Sequence, residues 1–261
     1  MTETKRKYDL VLLAGGGATV TTADEGPQIR ALAKLKGRRL LDYILAAVRD
    51  SRRIGLVALV TGSRELPAFE KLQLPEVLLC SCDGSMAEAA YTAIQRLQAQ
   101  PGHEAITKVV TVCDDLPFLS GEALDDFIGR AEKLEADGAY AIVTKEACGR
   151  DFPTLHRTFF HLREGDFTGG NVSLVSVNLF PDCIEKMRRV YELRKKPLRL
   201  ANWLGYRFLV RLVLRRLRLQ DVEERVSFLF GYRGRAVVTD YASIGTDLDK
   251  PEDWAEAEKY L

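Results

Sequence analysis

Carboxylates that follow apolar runs are the residues of this chain best suited to chemistry. Asp115 follows the run Lys108–Cys113 and precedes Leu-Pro, while Asp247 and Asp249 stand two residues apart before a predicted helix. Carboxylate oxygens at such positions can hold Mg²⁺ while the metal grips nucleotide phosphates. The same aspartates can instead serve as turn or helix-cap residues. Because Asp249 is the better-placed cap, Asp247 is the better candidate for a second metal ligand.

Three consecutive glycines form a second feature suited to phosphate chemistry. Gly15, Gly16 and Gly17 directly follow an apolar run at residues 10–14. A glycine has no Cβ to block a close approach, so successive backbone N–H groups can form a concave nest for phosphate oxygens. A tight turn between a strand and a helix needs the same residues and no ligand. The glycines alone therefore leave both interpretations open.

These residues lie at the ends of elements that alternate along the first half of the chain. The apolar runs of strand length are at residues 10–14, 54–61, 77–80, 108–113 and 140–144, and the amphipathic helical patterns are at 39–51, 85–98 and 121–134. This alternation predicts a mostly parallel sheet in a three-layer, Rossmann-like α/β fold. Ligands of such sheets bind beyond the carboxyl ends of the strands, so the glycines and Asp115 are expected on one rim. Asp114 alternates with Asp115 and is expected to face away from it.

The second half of the sequence is less regular. Residues 18–30 and 146–157 have the composition of loops, and 167–171 read as a glycine turn before a strand at 172–177. The predicted helices are at 181–194, 198–219 and 251–261, and further short strands are predicted at 158–163 and 236–239. We expect a single domain over residues 1–261, with a basic helical insertion at about 180–235.

The composition favours an intracellular protein. The chain has 261 residues, 46% of them hydrophobic, and a net charge of +1, so it can bury a large core and has no global field for a polyanion. The five cysteines are an odd number without a CxxC pair, as is typical of reduced thiols. No signal-peptide pattern and no apolar run of bilayer length is present, so we expect a cytoplasmic location.

The order of five motifs resembles one protein family. LLAGGG, LKGRRLLDYIL, CDDLPFL, FTGGN and TDLDKPEDW occur in the order found in GT-A-like nucleotidyltransferases. The chain resembles the MobA-like NTP transferase group over most of residues 8–145 and 236–261. The resemblance implies a Mg²⁺-dependent enzyme that transfers the NMP of a nucleoside triphosphate to a phosphorylated small-molecule acceptor and releases pyrophosphate. It favours GTP or CTP as the nucleotide.

The resemblance also implies roles for individual residues. It places Gly15, Gly16 and Gly17, with the preceding Ala14, along the nucleotide phosphates. It makes Asp115 a catalytic residue and metal ligand, and Asp247 the second metal ligand. The other residues it implies are Asp114, Gly84 and Ser85 for nucleotide binding, and Thr168, Gly169, Gly170 and Asn171 for acceptor binding.

One position departs from the pattern of the family. The family carries a cation soon after the glycines and a Lys later, whereas this chain has no Arg or Lys between Gly15 and Ile29 and has Arg30 at the Lys position. Such cations neutralise the triphosphate and the charge that develops in the transition state, so we expect Arg30 to be catalytic. Two other functions stay open: a catalytically weakened nucleotide-binding or regulatory protein, and a glycosyltransferase that uses a sugar nucleotide.

Twelve Lys and Arg residues crowd into residues 186–218, interleaved with Leu and Val. This amphipathic pattern is typical of solvated helix faces. It also suits the binding of a phosphorylated acceptor, or a peripheral contact with an anionic membrane. Nucleic acid is the least favoured partner, because aromatic residues are sparse in the segment and no nucleic-acid motif is present.

Overall fold

A computed structural model gives the structure of the chain at residues 8–15, 19–22, 26–193, 203, 205–248 and 251–261. The predicted site residues Gly16 and Gly17, and the predicted helix cap Asp249, lie outside these residues.

The strands form one main sheet and two small hairpins. They are β1 (Tyr8–Leu13), β2 (Thr19–Thr22), β3 (Gly26–Ile29), β4 (Lys34–Leu35), β5 (Arg38–Arg39), β6 (Ile54–Thr61), β7 (Val77–Ser81), β8 (Lys108–Cys113), β9 (Gly138–Thr144), β10 (Phe160–Leu162), β11 (Gly165–Ser176) and β12 (Gly234–Thr239). Within the described residues, the main sheet has eight strands in the order β12-β9-β11-β8-β1-β6-β7, with β10 paired to β11. All its pairings are parallel except those of β11, which runs antiparallel to β8, β9 and β10.

Helices cover both faces of this sheet. They are α1 (Leu40–Asp50), α2 (Leu66–Glu70), α3 (Met86–Gln98), α4 (Gly121–Glu132), α5 (Lys145–Asp151), α6 (Phe180–Leu193), α7 (Tyr206–Val213), α8 (Leu219–Phe230) and α9 (Pro251–Ala257). Alternate residues of β1 explain the layers: Leu10 and Leu12 pack with α1 and α4, whereas Val11 packs with α3 and α6. The strands are buried on both faces, as parallel strands under helices must be. The predicted three-layer α/β fold is therefore confirmed.

Two predicted loops contain regular structure. Residues 19–22 pair antiparallel with 26–29 as a separate hairpin, because the β-branched run Thr-Val-Thr-Thr favours an extended backbone. Residues 145–151 form α5, whose first turn is capped by the Thr144 hydroxyl, which accepts from the N–H of Ala147 at 3.2 Å. Both predictions of loops were wrong, since short elements give too few residues for a clear periodicity.

The predicted glycine turn at 167–171 is part of a continuous strand, β11. The pairing of β11 with β9 is irregular between Gly169 and Ser173. A Cβ at Gly170 would lie 3.0 Å from the carbonyl oxygen of Ala141 and 2.8 Å from a methyl group of Ile244. The glycine is therefore needed for close packing of neighbouring backbone and side chains, and not for a turn.

The predicted single helix at 198–219 is broken in its described part. The helix α7 ends at Val213, Arg215 has a left-handed backbone with φ of 53°, and α8 begins at Leu219. The Asp221 carboxylate accepts from the N–H of Arg218 at 3.0 Å and so gives a hydrogen-bond partner to a backbone N–H at the start of α8. None of the described helices is both long and apolar enough to cross a bilayer.

Candidate active site

The carboxyl ends of β1 and β8 meet at one rim of the sheet. Leu13 pairs with Cys113 in register, so Gly15 and Asp115 follow on the same rim, in agreement with the sequence. A loop at residues 245–248 joins them there, because the N–H of Leu248 donates to the carbonyl of Asp115 at 3.1 Å. Asp247 consequently lies next to Asp115, although the two are far apart in the sequence.

Arg30 binds both members of the Asp114–Asp115 pair. Its Nε and Nη2 lie 3.1 and 2.6 Å from Asp114 Oδ1, and its Nη1 lies 3.0 Å from Asp115 Oδ2. The three side chains are only 15%, 3% and 8% exposed. The expectation that Asp114 faces away from Asp115 was wrong, because the fork-shaped guanidinium is wide enough to reach both carboxylates.

A second buried arginine holds Asp247. Arg157 Nη1 donates to the Asp247 carboxylate and Nη2 donates to its carbonyl oxygen. The Arg157 side chain is 9% exposed, and its Nε has no hydrogen-bond partner among the described residues. Since a buried guanidinium that lost its carboxylate would be strongly unfavourable, this pair fixes Asp247 beside Asp115.

A cavity of about 470 Å³ opens beside the rim. Leu13, Gly15, Thr61 and Cys113 line it from the ends of three neighbouring strands. Arg30 also lines it, so the guanidinium that binds the aspartates is accessible from the cavity. The Thr61 hydroxyl is buried and has no hydrogen-bond partner among the described residues, which leaves it available to a ligand.

The N-terminus of α3 forms a further wall of the cavity. Gly84 and Ser85 line it, and Ser85 caps the helix by accepting from the N–H of Glu88. The Glu88 carboxylate accepts from the Ser85 N–H at 2.7 Å and completes a capping box. The positive end of the helix dipole therefore points toward the cavity, where it favours an anion.

Helices α6 and α8 form another side of the cavity. Met187 and Arg188 of α6 and Phe230 of α8 line it. Arg188 Nη2 donates to Glu88 Oε1 at 2.8 Å and so joins α6 to the capping box of α3. Helices α6 and α8 are therefore part of the cavity wall, and α6 brings a second guanidinium to it.

Two weak acids near the site, the Cys113 thiol and the Tyr140 hydroxyl, have raised pKa values. Burial raises the pKa of the Cys113 thiol far above its usual value, and the carboxylates of Asp115 and Asp114 raise it further. Burial also raises the pKa of Tyr140 to about 12, with smaller contributions from Cys113, Asp247 and Asp115. Tyr140 is nevertheless 46% exposed. Both groups are protonated at neutral pH.

The predicted acceptor residues lie on β11, at the same edge as the other site residues. Thr168 is buried, and a Cβ at Gly169 would lie 2.8 Å from the Tyr140 hydroxyl. Thr168, Gly169, Gly170 and Asn171 are not among the described residues that line the cavity. The structure thus separates the predicted nucleotide residues Gly15, Gly84 and Ser85, which share the cavity, from the predicted acceptor residues. Ala14 and Asp114 are buried behind the rim.

The two predicted metal ligands are compatible with Mg²⁺ in an incomplete site. Asp115 and Asp247 are neighbours, but no group of three or more His, Cys, Asp and Glu side chains among the described residues is arranged to hold a metal. Mg²⁺ typically takes one or two carboxylates and completes its shell with water and substrate phosphates. The donor set therefore fits a metal that binds together with a nucleotide.

Sequence reasoning missed Arg157, Tyr140, Thr61 and Phe230. Nothing in the local sequence marks any of them, because each reaches the site through contacts between segments that are far apart in the chain. Arg188 was noted only as one member of the basic segment. Its position on the inner face of α6 distinguishes it from its exposed neighbour Arg189.

A mostly parallel sheet under two helical layers, with a cavity at the carboxyl ends of its strands, defines a Rossmann-like α/β fold. The model of the MobA-like NTP transferase domain matches residues 10–203. The chain belongs to this family of nucleotidyltransferases, which confirms the resemblance found in the sequence.

Solved structures support the same fold. A hypothetical transferase from Thermus thermophilus is 32% identical with a TM-score of 0.79, over 95% of this chain and 99% of its own. A 4-diphosphocytidyl-2C-methyl-D-erythritol synthase from Anaerococcus prevotii is 11% identical with a TM-score of 0.58, over 100% of this chain and 99% of its own. Another synthase of that name is 15% identical with a TM-score of 0.59, over 98% of this chain and 99% of its own. No curated protein sequence matches the chain significantly.

Proposed function

We propose that the protein is a Mg²⁺-dependent nucleotidyltransferase that moves an NMP from a nucleoside triphosphate to a phosphorylated small molecule. The observation that carries this proposal is the position of Arg30, which lines the cavity beside Gly15 and at the same time binds Asp115. A cation, a carboxylate and the exposed Gly15 at one rim suit a polyphosphate that arrives with a metal ion.

The reaction needs positioning and charge neutralisation rather than covalent help from the protein. An oxygen of the acceptor phosphate attacks the α-phosphorus, and a new O–P bond forms. The bond from the α-phosphorus to the oxygen that bridges to the β-phosphate breaks, and pyrophosphate leaves with that electron pair. Asp115 and Asp247 would hold the Mg²⁺, which supplies charge neutralisation on the phosphates when bound. Arg30 would bind a phosphate oxygen while it keeps the carboxylates in place.

Arg188 would supply the second cation for the triphosphate. The chain lacks an Arg or Lys between Gly15 and Ile29, where the family carries one. Arg188 lines the same cavity as Arg30, next to the N-terminus of α3. A guanidinium there can neutralise phosphate charge from the helical insertion, so the missing cation of the glycine loop is replaced from elsewhere in the fold.

The acceptor would bind at Thr168 to Asn171, on the far side of Tyr140 from the nucleotide cavity. These residues share the rim with Asp115 and Asp247, through the pairing of β11 with β8 and β9. The neutral Tyr140 hydroxyl is a donor suited to an acceptor phosphate. GTP and CTP are the nucleotides that family membership favours.

Thermal unfolding of the chain with ATP, GTP, CTP or UTP, with and without Mg²⁺, tests the proposal. One nucleotide is expected to raise the Tm only when Mg²⁺ is present, because a ligand that binds the native state stabilises it by mass action. Asp115→Asn and Asp247→Asn should each remove this effect, and Asp126→Asn, at a partly exposed position of α4 where the aspartate pairs with Arg130, should keep it. Pyrophosphate release should then follow when a pool of sugar phosphates and polyol phosphates is added.

Other outcomes of these measurements would favour the alternative functions or contradict the proposal. Nucleotide binding without pyrophosphate release from any phosphorylated acceptor would favour a regulatory nucleotide-binding protein. Stabilisation by a sugar nucleotide alone would favour a glycosyltransferase. Absence of a shift with every nucleotide would contradict the proposal itself.

A further inference from the structure

An apolar stripe on α7 faces solvent. Tyr206 and Val213 are 79% and 80% exposed, and the partly exposed Leu209 and Val210 lie between them. These positions, separated by three, four and seven residues, form one face of a helix. Phe208, on another side of α7, packs against the core of the protein. Helix α7 is therefore apolar on two sides, and the described residues cover only one of them.

Phe228 of α8 extends this apolar surface. It is 76% exposed, and the Arg225 guanidinium lies 5.2 Å from the centre of its ring. Arg225 also donates to the carbonyl of Trp203 at 3.0 Å and lies beside Gly205, at the start of α7. Tyr206, Val213, Leu214 and Phe228 together are named the α7–α8 apolar patch.

The segment that carries most of this patch is strongly basic. Residues 186–218 contain twelve Lys and Arg and one Glu, a net charge of +11 in a chain whose overall net charge is +1. Among the described residues, Arg211, Arg215, Arg216 and Arg218 are exposed and lie next to the apolar side chains. Residues 206–230, which carry the patch, hold six Arg, two Glu and one Asp, a net charge of +3, and Arg211 is paired with Asp221 at 2.7 Å.

We propose that the α7–α8 apolar patch docks on an anionic lipid surface. The apolar side chains enter the boundary between headgroups and acyl chains, and the surrounding guanidinium groups bind headgroup phosphates. An amphipathic helix with Arg on its polar side and an exposed Tyr, next to a second helix with an exposed Phe, is suited to lie in the plane of such an interface. This inference is independent of the proposed reaction, because neither the apolar side chains of the patch nor Arg211, Arg215, Arg216 and Arg218 line the active-site cavity.

Charge and side-chain type argue against two other occupants. A second copy of the chain, related by a two-fold axis, would place the exposed Arg215, Arg216 and Arg218 close to the same residues of its partner, and like charges in contact oppose association. A nucleic acid would neutralise the arginines through its phosphates, but it would leave the aliphatic Val213 and Leu214 in water. A lipid surface would bind the arginines through its headgroup phosphates and cover the apolar side chains with its acyl chains.

Co-sedimentation of the full chain with lipid vesicles tests the proposal. The chain is expected to bind vesicles of phosphatidylcholine and phosphatidylglycerol in equal parts and to bind pure phosphatidylcholine weakly. Binding should weaken when the salt concentration rises from about 0.1 M to about 1 M, since the Debye length falls from about 10 Å to about 3 Å. Equal binding to both vesicle types, or none to either, overturns the proposal.

Matched variants distinguish binding through the α7–α8 apolar patch from a general electrostatic attraction between the protein and the vesicles. Arg215→Gln with Arg216→Gln should lower partitioning about 25-fold, at about fivefold for each arginine, whereas Arg52→Gln with Lys133→Gln on the opposite face of the sheet should change it little. Val213→Ser with Phe228→Ser should lower it about tenfold or more, and the exposed Leu134→Ser of the opposite face should not. The Tm values of all variants should match, because every changed side chain is exposed.

Three results would overturn the docking surface. The first is a loss of vesicle binding in the opposite-face variants as large as in the patch variants. The second is unchanged binding after Val213→Ser with Phe228→Ser, which would mean that the apolar side chains take no part. The third is a stable dimer in light scattering that Phe228→Ser dissociates, which would identify a second copy as the partner.

Discussion

The Arg30 guanidinium lies 2.6 Å from Asp114 Oδ1 in surroundings that leave the aspartate side chain only 3% exposed. The same guanidinium reaches Asp115, so one cation neutralises two adjacent buried carboxylates. Arg30 is therefore a structural residue as well as a candidate catalytic one. Removal of this cation would leave two like charges side by side in a region of low water content.

Arg30→Ala is expected to lower the free energy of unfolding by about 3 kcal/mol, because it leaves the carboxylates without their cation. Urea unfolding measures this change. Combination with Asp114→Asn should recover part of the loss, since one of the two charges is then removed, and nucleotide binding should still be lost. A single Arg30→Ala variant as stable as the natural chain would show that the ion pair is not important for the fold.

Arg157→Ala is expected to release Asp247 from its position beside Asp115. The Mg²⁺ concentration needed for half-maximal stabilisation by the nucleotide should rise at least tenfold, and Arg157→Lys should give an intermediate value, because the single nitrogen of Lys cannot reproduce the contact that two guanidinium nitrogens make with the carboxylate and the carbonyl of Asp247. A titration of Tm with Mg²⁺ at saturating nucleotide measures this. An unchanged Mg²⁺ requirement in Arg157→Ala would argue against Asp247 as a metal ligand.

Gly170→Ala is expected to destabilise the fold by about 1–3 kcal/mol, because the new methyl group would overlap with Ala141 and Ile244. Gly149→Ala in α5 is the matched control. Its new methyl group meets no atom within 4 Å, so the change should stabilise the fold by about 0.5–1 kcal/mol through helix propensity. Differential scanning calorimetry of the two variants compares them. Equal and small effects would contradict close packing at Gly170.

Arg188→Gln is expected to weaken nucleotide triphosphate binding about tenfold, since it removes a charge-assisted contact from the cavity. Arg189→Gln, one residue further along α6, removes the same charge from an exposed position outside the cavity lining. Isothermal titration calorimetry should show near-normal affinity for Arg189→Gln. Equal losses in both variants would indicate a general charge effect rather than a contact in the cavity.

Cys113 is expected to react slowly with iodoacetamide at pH 8, because burial and the neighbouring aspartates raise the pKa of its thiol and keep it protonated. Asp115→Asn removes one negative charge, lowers the thiol pKa and should speed alkylation at the same pH. Peptide mass spectrometry after timed alkylation follows the residue. An alkylation rate that is the same in both proteins would show that the carboxylate does not act on the thiol.

Local patterns were sufficient to predict much of the sheet and its helices. Strands at 54–61 and 108–113 are mostly apolar, and Ser85 and Ser120 stand at the N-termini of α3 and α4 and cap them through their own side chains. These signals arise within a few residues, so a sequence carries them directly. The family motifs are local in the same way, and they indicate Arg30 and Asp115 from the amino-acid sequence alone.

Only the tertiary structure shows that Asp247 and its partner Arg157 lie next to Asp115. It also shows that Arg188 and Phe230 line the cavity, and that β11 continues as one strand through Gly169 and Gly170. The sequence determined which segments form strands and helices and which residue types can bind phosphate and metal, because propensity, periodicity and capping act between near neighbours. The assembly of the site was decided by strand order and helix packing. Those depend on contacts between residues far apart in the chain, which no local pattern specifies.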